Sequence, residues 1–163
     1  MRTASFVLFA TVLSVTSACG SDPVDAAGDF SISVTNRENG CSFANWTEGD
    51  SATNIGLTIT QDGSDVTGTV TGATGGFLDL VLGDHVFRGS ADDSGVSMTI
   101  FGTRSATQGN CTYTVNATAD ADLAGDVLTG NILYQAATNG NPDCADLEGC
   151  TSRQEFNGTR PPQ

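Results

Sequence analysis

Aspartates are the side chains in this sequence whose type and spacing best suit chemistry. Carboxylate oxygens on flexible loops are preferred ligands of calcium, and two carboxylates about 5 to 9.5 Å apart across a cleft can hydrolyse a glycosidic bond. Aspartate is also a common turn residue, because its side chain hydrogen-bonds to its own backbone. We expect turn residues and no metal site, with Asp120, Asp122 and Asp126 as the candidates if calcium does bind. Four groups of aspartates could each hold calcium, namely Asp62/Asp65, Asp92/Asp93, Asp120/Asp122/Asp126 and Asp143/Asp146.

Histidine adds little support for catalysis, because His85 is the only histidine in the chain. A triad of nucleophile, histidine and acid would have to use His85, and nothing nearby in the sequence marks its partners. The chain also contains no G-x-S-x-G, Walker A or H-E-x-x-H pattern. We therefore expect His85 to be a strand residue beside a turn, in a protein with no catalytic activity and no cofactor. A hydrolase that uses paired carboxylates is the alternative.

The charge of the chain limits its partners. It carries 19 acidic residues against 6 basic ones, for a formal net charge of −13 at pH 7. Such a charge argues against binding to nucleic acid or to anionic lipid, since both repel an acidic surface. It would suit a cationic protein. It would equally suit a solvated surface whose aspartates lie mainly in turns.

The N-terminus has the organisation of an export signal. Arg2 precedes an apolar run over residues 6–15, and small residues follow up to Cys19. This pattern predicts a signal peptide over residues 1–18, which is too short to remain as a transmembrane helix. The sequence Ser17-Ala18-Cys19 resembles the lipobox of bacterial lipoproteins, which implies that Cys19 becomes the lipidated first residue after cleavage. The alternative is ordinary secretory cleavage after Ala18.

The cysteine count agrees with this resemblance, because the chain has five cysteines and an odd thiol is a liability in an oxidising compartment. Lipidation of Cys19 would leave Cys41, Cys111, Cys144 and Cys150 to form two disulfides. Four cysteines allow three pairings. We favour Cys144 with Cys150, because a short separation closes easily within a turn-rich segment, and Cys41 with Cys111.

Alternation of apolar and polar residues is clearest between Asn54 and Gly72, in the sequence NIGLTITQDGSDVTGTVTG. It predicts a hairpin of two strands around an Asp-Gly turn. Further strands are predicted over residues 30–34, 85–90, 96–101, 111–119, 127–135 and 151–158, and the dense apolar content of residues 77–82 predicts a buried strand there. No stretch of about a dozen residues after the signal peptide keeps a helical period, so we expect no helix beyond one turn within residues 143–148.

Short connections between these strands predict an all-β fold, an antiparallel up-and-down meander. Glycines inside the predicted strands, such as Gly89 and Gly130, would let the sheet bend and close into a barrel of about eight strands, which removes exposed edges. We expect this barrel to span residues 30–160. Residues 19–29 before it are small and polar, and are expected to form a lipidated cysteine with a flexible tether.

The lipobox-like start, the tether and the series of short strands are together similar to small bacterial envelope lipoproteins that carry a calycin-like barrel, of lipocalin or avidin type. The resemblance implies a module that is anchored to a membrane by its N-terminal lipid and faces the periplasm or the cell exterior. Avidins close their biotin pocket with several tryptophans. Because this chain has only Trp46, biotin binding is not implied.

The aromatic residues bear on whether such a barrel holds a ligand. They could line the interior and bind a small apolar ligand, or they could fill it, and we favour filling. The expected function is a binding or interaction module without catalytic activity. An acidic inhibitor of a cationic envelope hydrolase is a further alternative. The candidate lining residues are Trp46, Phe77, Phe87, Phe101, Tyr113 and Tyr134.

Overall fold

The structure of the protein is a computed structural model that describes residues 22–161. The predicted signal peptide and Cys19 lie outside the described residues. The described chain forms nine strands, one α-helix and one 3-10 helix. In chain order these are β1 (Gly28–Asn39), β2 (Ser51–Asp62), β3 (Asp65–Val70), α1 (Gly72–Val81), β4 (Val86–Ala91), β5 (Gly95–Ile100), β6 (Ala106–Gln108), β7 (Cys111–Ala124), β8 (Val127–Thr138), the 3-10 helix (Pro142–Cys144) and β9 (Thr151–Thr159).

Eight of these strands close into an antiparallel barrel. Neighbours follow chain order from β1 to β5 and continue with β7, β8 and β9, which pairs back with β1. The short β6 pairs only with the first three residues of β7, so it adds a small flap next to the barrel. The predicted all-β antiparallel barrel is therefore confirmed.

The predicted hairpin between Asn54 and Gly72 is formed by β2 and β3. Asp62 pairs with Asp65, which leaves Gly63 and Ser64 as a two-residue turn. Gly63 has a φ of +61°, a left-handed conformation that favours glycine. The apolar residues of both strands face the interior, and Ile55, Leu57, Ile59, Val66 and Val70 are all buried. Local alternation therefore predicted both the turn and the inward face correctly.

Two glycines inside strands allow neighbouring strands to approach closely. A Cβ atom on Gly89 of β4 would overlap the backbone carbonyl of Ser97 on β5, and one on Gly130 of β8 would overlap the carbonyl of Asp120 on β7. Any other residue would have to push these strands apart. Both positions thus require glycine because of how adjacent strands pack.

The two ends of the barrel differ in their connections. At one end, called the closed end here, tight turns join β2 to β3, β4 to β5 and β7 to β8. At the other end, called the mouth, the connections are longer: residues 40–50 follow β1, α1 follows β3, residues 101–110 follow β5, and residues 139–150 follow β8. Variation in sequence and structure is tolerated best in such connections, so the mouth is the end suited to a site.

Residues 22–27, the described part of the expected tether, pack across the closed end. The amide of Val24 donates to the carbonyl of Asp92 over 2.6 Å. The Gln61 side chain donates to the carbonyl of Val24 and accepts from the amide of Ala26, over 2.9 and 2.8 Å. Ala26 is fully buried. This segment therefore seals one end of the barrel.

Helix α1 corrects the prediction of a strand over residues 77–82 and of a chain without helices. Leu78 and Leu82 lie one turn apart and are buried, whereas Leu80 between them is 68 % exposed. Residues four apart share one face of a helix, so a single apolar stripe is enough to hold α1 on the barrel. The prediction was wrong because dense apolar content without alternation suits either element, and because Gly75 and Gly76 lower helix propensity.

The disulfides join Cys41 to Cys150 and Cys111 to Cys144, so the favoured pairing was wrong. Cys41 follows β1 and Cys150 precedes β9, and these two strands are neighbours whose ends meet where Asn39 pairs with Ser152. Separation along the sequence misled the prediction, since closure of the barrel brings the first and last strands together. The second bridge ties the start of β7 to the connection that follows β8.

Candidate functional site

A cavity of about 450 Å³ opens at the mouth of the barrel, between α1 and the inner walls. Its walls are mostly aliphatic and aromatic, and include Ile32, Val34, Ile55, Val70, Leu78, Phe87 and Ile132. The volume lies within the range of roughly 300 to 1,000 Å³ that is typical of small-molecule sites. An apolar interior with space left at one end is therefore available for a ligand.

Helix α1 lies over this cavity because its two ends are tied to the barrel rim. Just before the helix, the amide of Thr71 donates to the carbonyl of Gly56 on β2 over 2.8 Å. Just after it, the carbonyl of Leu82 accepts from the amides of Thr103 and Arg104, over 2.7 and 3.1 Å. The helix turns Leu78 inward and leaves Phe77 57 % exposed at the opening. It thus forms one side of the entrance.

Three of the six predicted lining residues meet at this cavity, namely Phe77, Phe87 and Tyr134. Trp46 lies behind the wall: its ring meets Tyr134 edge-on at 5.7 Å, and its indole N–H donates to the carbonyl of Arg37 over 2.8 Å. Phe101 is 75 % exposed. The prediction that aromatic side chains fill the barrel therefore does not describe the mouth, where space remains.

Tyr113 packs in a second, smaller core beside the mouth. This core contains the buried residues Cys41, Cys111, Cys144 and Leu147, and the partly buried Phe43, Tyr113, Ala136 and Cys150. Both disulfides belong to it. They brace the long connections after β1 and β8, so the wall of the mouth is held in place by covalent links.

A strip of three hydrogen-bonded polar side chains crosses the cavity wall, and of these three only Tyr134 was predicted from the sequence. The Tyr134 hydroxyl donates to Oε1 of Gln154 over 2.7 Å, and Nε2 of Gln154 donates to Oδ1 of Asn36 over the same distance. The Asn36 amide then donates to the carbonyl of Thr47 over 3.2 Å. Burial raises the pKa of Tyr134, so its hydroxyl keeps its proton. The available signal was that Asn36 and Gln154 occupy inward-facing positions in strands whose residues alternate between the interior and the solvent.

A larger depression of about 690 Å³ lies on the outer surface of the barrel and is polar. Both arginines that line it are paired: Arg37 contacts Glu155, and Arg153 contacts Glu155 and the nearby Glu38, each at 2.7 Å. These contacts with Arg153 lower the pKa of Glu155, and lower that of Glu38 to about 2. This depression is polar and its arginines are paired, so the smaller apolar cavity is the better candidate for an apolar ligand.

The candidate calcium residues do not share one site. Asp120 and Asp122 lie on the outer face of β7, where Asp120 accepts a hydrogen bond of 2.6 Å from Ser97. Asp126 lies in the turn after β7 and forms a 3.0 Å ion pair with Arg160. The carboxylates of Asp120 and Asp126 therefore each have a partner within the protein.

Among residues 22–161, the one group of three metal-ligating side chains with converging atoms is Asp79, Asp84 and His85. Nδ1 of His85 contacts Asp79 at 2.7 Å, and Asp84 pairs with Arg88 at 3.0 Å. Asp84 also accepts from the amides of His85 and Val86. The group therefore ties the end of α1 to β4, with an arginine competing for one carboxylate.

The carboxyl groups give no support to a general acid. For the described carboxyls whose pKa departs clearly from its ordinary value, namely Glu38, Asp84, Asp92 and Glu155, the direction is downward. Hydrogen bonds from arginines or backbone amides cause the lowering. Acid catalysis by a carboxyl requires a raised pKa, so the carboxylate-hydrolase alternative has no candidate acid in this set.

Comparisons with protein-family models, with curated proteins and with solved structures find no match for this chain. Within the part of the chain that the structure describes, no helix is long and apolar enough to cross a membrane.

Proposed function

We propose that the protein is a lipid-anchored extracytoplasmic binding module that holds a small apolar ligand at the mouth of its barrel and has no catalytic activity. The observation that carries this proposal is the open apolar cavity of about 450 Å³ beneath α1. Burial of apolar ligand surface there would be favourable by about 25 cal/mol per Å² removed from water.

The position of the cavity supports binding at the mouth. Residues 22–27 seal the closed end, while the mouth is framed by α1 and by connections that the two disulfides brace. A rigid wall lowers the entropy cost of binding, because little of the site has to be ordered when the ligand arrives.

The lipid anchor belongs to the proposal and has its own test. Its support is the lipobox-like Ser17-Ala18-Cys19 sequence and the fact that the other four cysteines are paired with one another. Metabolic labelling with palmitate should mark the wild-type protein and leave the Cys19→Ser variant unlabelled. Equal labelling of both would refute the anchor.

Ligand binding is tested by native mass spectrometry of the Cys19→Ser chain, expressed in its own host and released without detergent. We expect an adduct of constant mass. An Ala52→Phe variant should lose it, because Ala52 lines the cavity and pairs with the inward-facing Val34. The control is Ala137→Phe, an exposed position on β8 that does not line the cavity.

The comparison of these two variants decides whether the ligand binds at the mouth. An adduct that survives Ala52→Phe would lie elsewhere, and a chain that never carries an adduct would contradict a ligand-binding role. The alternative of an acidic inhibitor would then be favoured by salt-sensitive binding to a cationic hydrolase, since binding that depends on surface charge weakens with ionic strength.

A further inference from the structure

The chemistry of the cavity wall also selects the head group of its ligand. We propose that the mouth binds single-chain amphiphiles with a cationic, hydrogen-donating head group, of which an alkyl ammonium is the simplest case, and discriminates against alkyl carboxylates. This inference rests on the proposed ligand-binding function. It rests on two features of the mouth. One is the polar strip formed by Tyr134, Gln154 and Asn36, and the other is the acidic rim, meaning Glu48 and Asp50 in the connection after β1.

The polar strip offers more acceptors than donors. Its hydrogen bonds run in one direction, from Tyr134 to Gln154, from Gln154 to Asn36 and from Asn36 to the carbonyl of Thr47. The tyrosine proton is therefore used within the protein, while the phenolic oxygen keeps one acceptor site in the plane of its ring. Each amide oxygen keeps one lone pair and each amide nitrogen one N–H. Three acceptor sites against two donors favour a ligand group that donates, such as an ammonium.

The charges at the mouth also favour a cationic head group over a carboxylate. Asp50 is among the residues that line the cavity, and of the described residues in its lining none is an arginine or a histidine. The connection that carries Asp50 also contains Glu48 and has no basic residue between positions 40 and 50. A carboxylate entering this site would lose water without meeting a cation, which is unfavourable.

The arginines on the surrounding elements are directed elsewhere. Arg37 pairs with Glu155 on the outer surface at 2.7 Å, and Arg88 pairs with Asp84 at 3.0 Å. Nε of Arg104 donates to a backbone carbonyl of α1, that of Asp79, over 3.5 Å. His85 contacts the Asp79 carboxylate at 2.7 Å. The acidic character of the rim is therefore not offset by a basic side chain in the cavity wall.

Three probes that share one dodecyl chain test this inference, namely dodecylammonium, dodecanol and dodecanoate. In calorimetric titration of the Cys19→Ser chain at pH 7, dodecylammonium and dodecanoate are kept below their micelle concentrations and dodecanol below its solubility limit. We expect one site per chain, the tightest binding for dodecylammonium, and an affinity for dodecanoate that is lower by about tenfold or more. A tenfold ratio is a modest electrostatic effect at a partly exposed site.

Variants identify where the selection occurs. Asp50→Asn should weaken dodecylammonium by about threefold and leave dodecanol unchanged, because Asp50 is exposed and its interaction is screened. The matched control is Asp65→Asn at the start of β3, at the closed end, which should alter binding of neither probe. Ala52→Phe should reduce binding of all three, which separates the mouth from non-specific attraction to the acidic surface.

The outcomes separate this inference from the function on which it rests. Equal binding of the three probes, or tighter binding of dodecanoate, would overturn the head-group selection and leave the apolar site in place. Failure of all three probes to bind would overturn both. Ammonium selectivity that survives Ala52→Phe would place it on the outer surface and refute its assignment to the mouth.

Discussion

Removal of the Cys41–Cys150 disulfide should cost the barrel a large share of its stability. The two cysteines are separated by 109 residues, for which the loop-entropy relation gives about 4.8 kcal/mol at 25 °C. The intact Cys111–Cys144 bridge shortens the effective loop, which lowers the expected loss to about 4.5 kcal/mol. For a domain of this size the corresponding fall in Tm is about 15 °C.

The measurement is thermal unfolding of the Cys41→Ser/Cys150→Ser protein, followed by the fluorescence of Trp46. The matched control is Cys111→Ser/Cys144→Ser, whose separation of 33 residues predicts a smaller loss of about 3.7 kcal/mol. A fall in Tm of only one or two degrees in the first variant would refute the entropic reasoning.

Fragment mapping tests the pairing itself without relying on stability. A protease that cleaves before aspartate places the four cysteines in separate fragments, over residues 29–49, 93–119, 143–145 and 146–163. Without reduction, the first fragment should remain linked to the last, and the second to the third. A link between residues 143–145 and 146–163 would restore the pairing favoured by the sequence and contradict the structure.

Three further predictions follow from the strands and their charges. Gly130→Ala should lower the free energy of unfolding in urea by about 1 to 3 kcal/mol, because its Cβ would overlap a neighbouring strand. Gly76→Ala, in open space on α1, should raise that free energy by up to about 1 kcal/mol. Arg153 holds the pKa of Glu38 at about 2, below its ordinary 4.5, so this pair should contribute stability above pH 4.5 and lose it as pH falls towards 2. The urea midpoints of wild type and Glu38→Gln should therefore differ at pH 6 and converge near pH 2; a constant difference would refute this. Arg160→Gln should lower stability by about 2 kcal/mol, since its side chain is only 9 % exposed and bonds at the closed end, and an unchanged urea midpoint would contradict this.

The parts of the fold that depend on local pattern were predictable. The β2–β3 hairpin followed from alternation and an Asp-Gly turn, and both signals lie within neighbouring residues. Closure into a barrel followed from the number of strands and the need to cover their apolar faces. Local physics thus determined the elements and the class of fold.

The parts that depend on which elements become neighbours were not predictable. Cys41 meets Cys150 only because β9 closes on β1, and sequence separation carries no information about that contact. Helix α1 is stabilised by packing of Leu78 and Leu82 on the barrel, which overrides the low helix propensity of its glycines.

The candidate site was predictable only in part. An aromatic residue type suggested burial, yet of Phe87 and Phe101 only Phe87 is buried, because it lies on the inner face of β4, whereas Phe101 lies in the connection after β5 and is exposed. The polar strip was harder to find, since Asn36 and Gln154 are ordinary residues until the register places them opposite each other.

The first and last described residues leave the barrel at the same pole. Arg160 donates to the carbonyl of Ala27, so the beginning and the end of the domain are in direct contact there. A biotin tag, a surface linker or a fused domain joined at either side would therefore stand away from α1. Immobilised in this way, the molecule would present its opening to the solution, which makes it suitable for surface-based binding measurements without blocking the entrance.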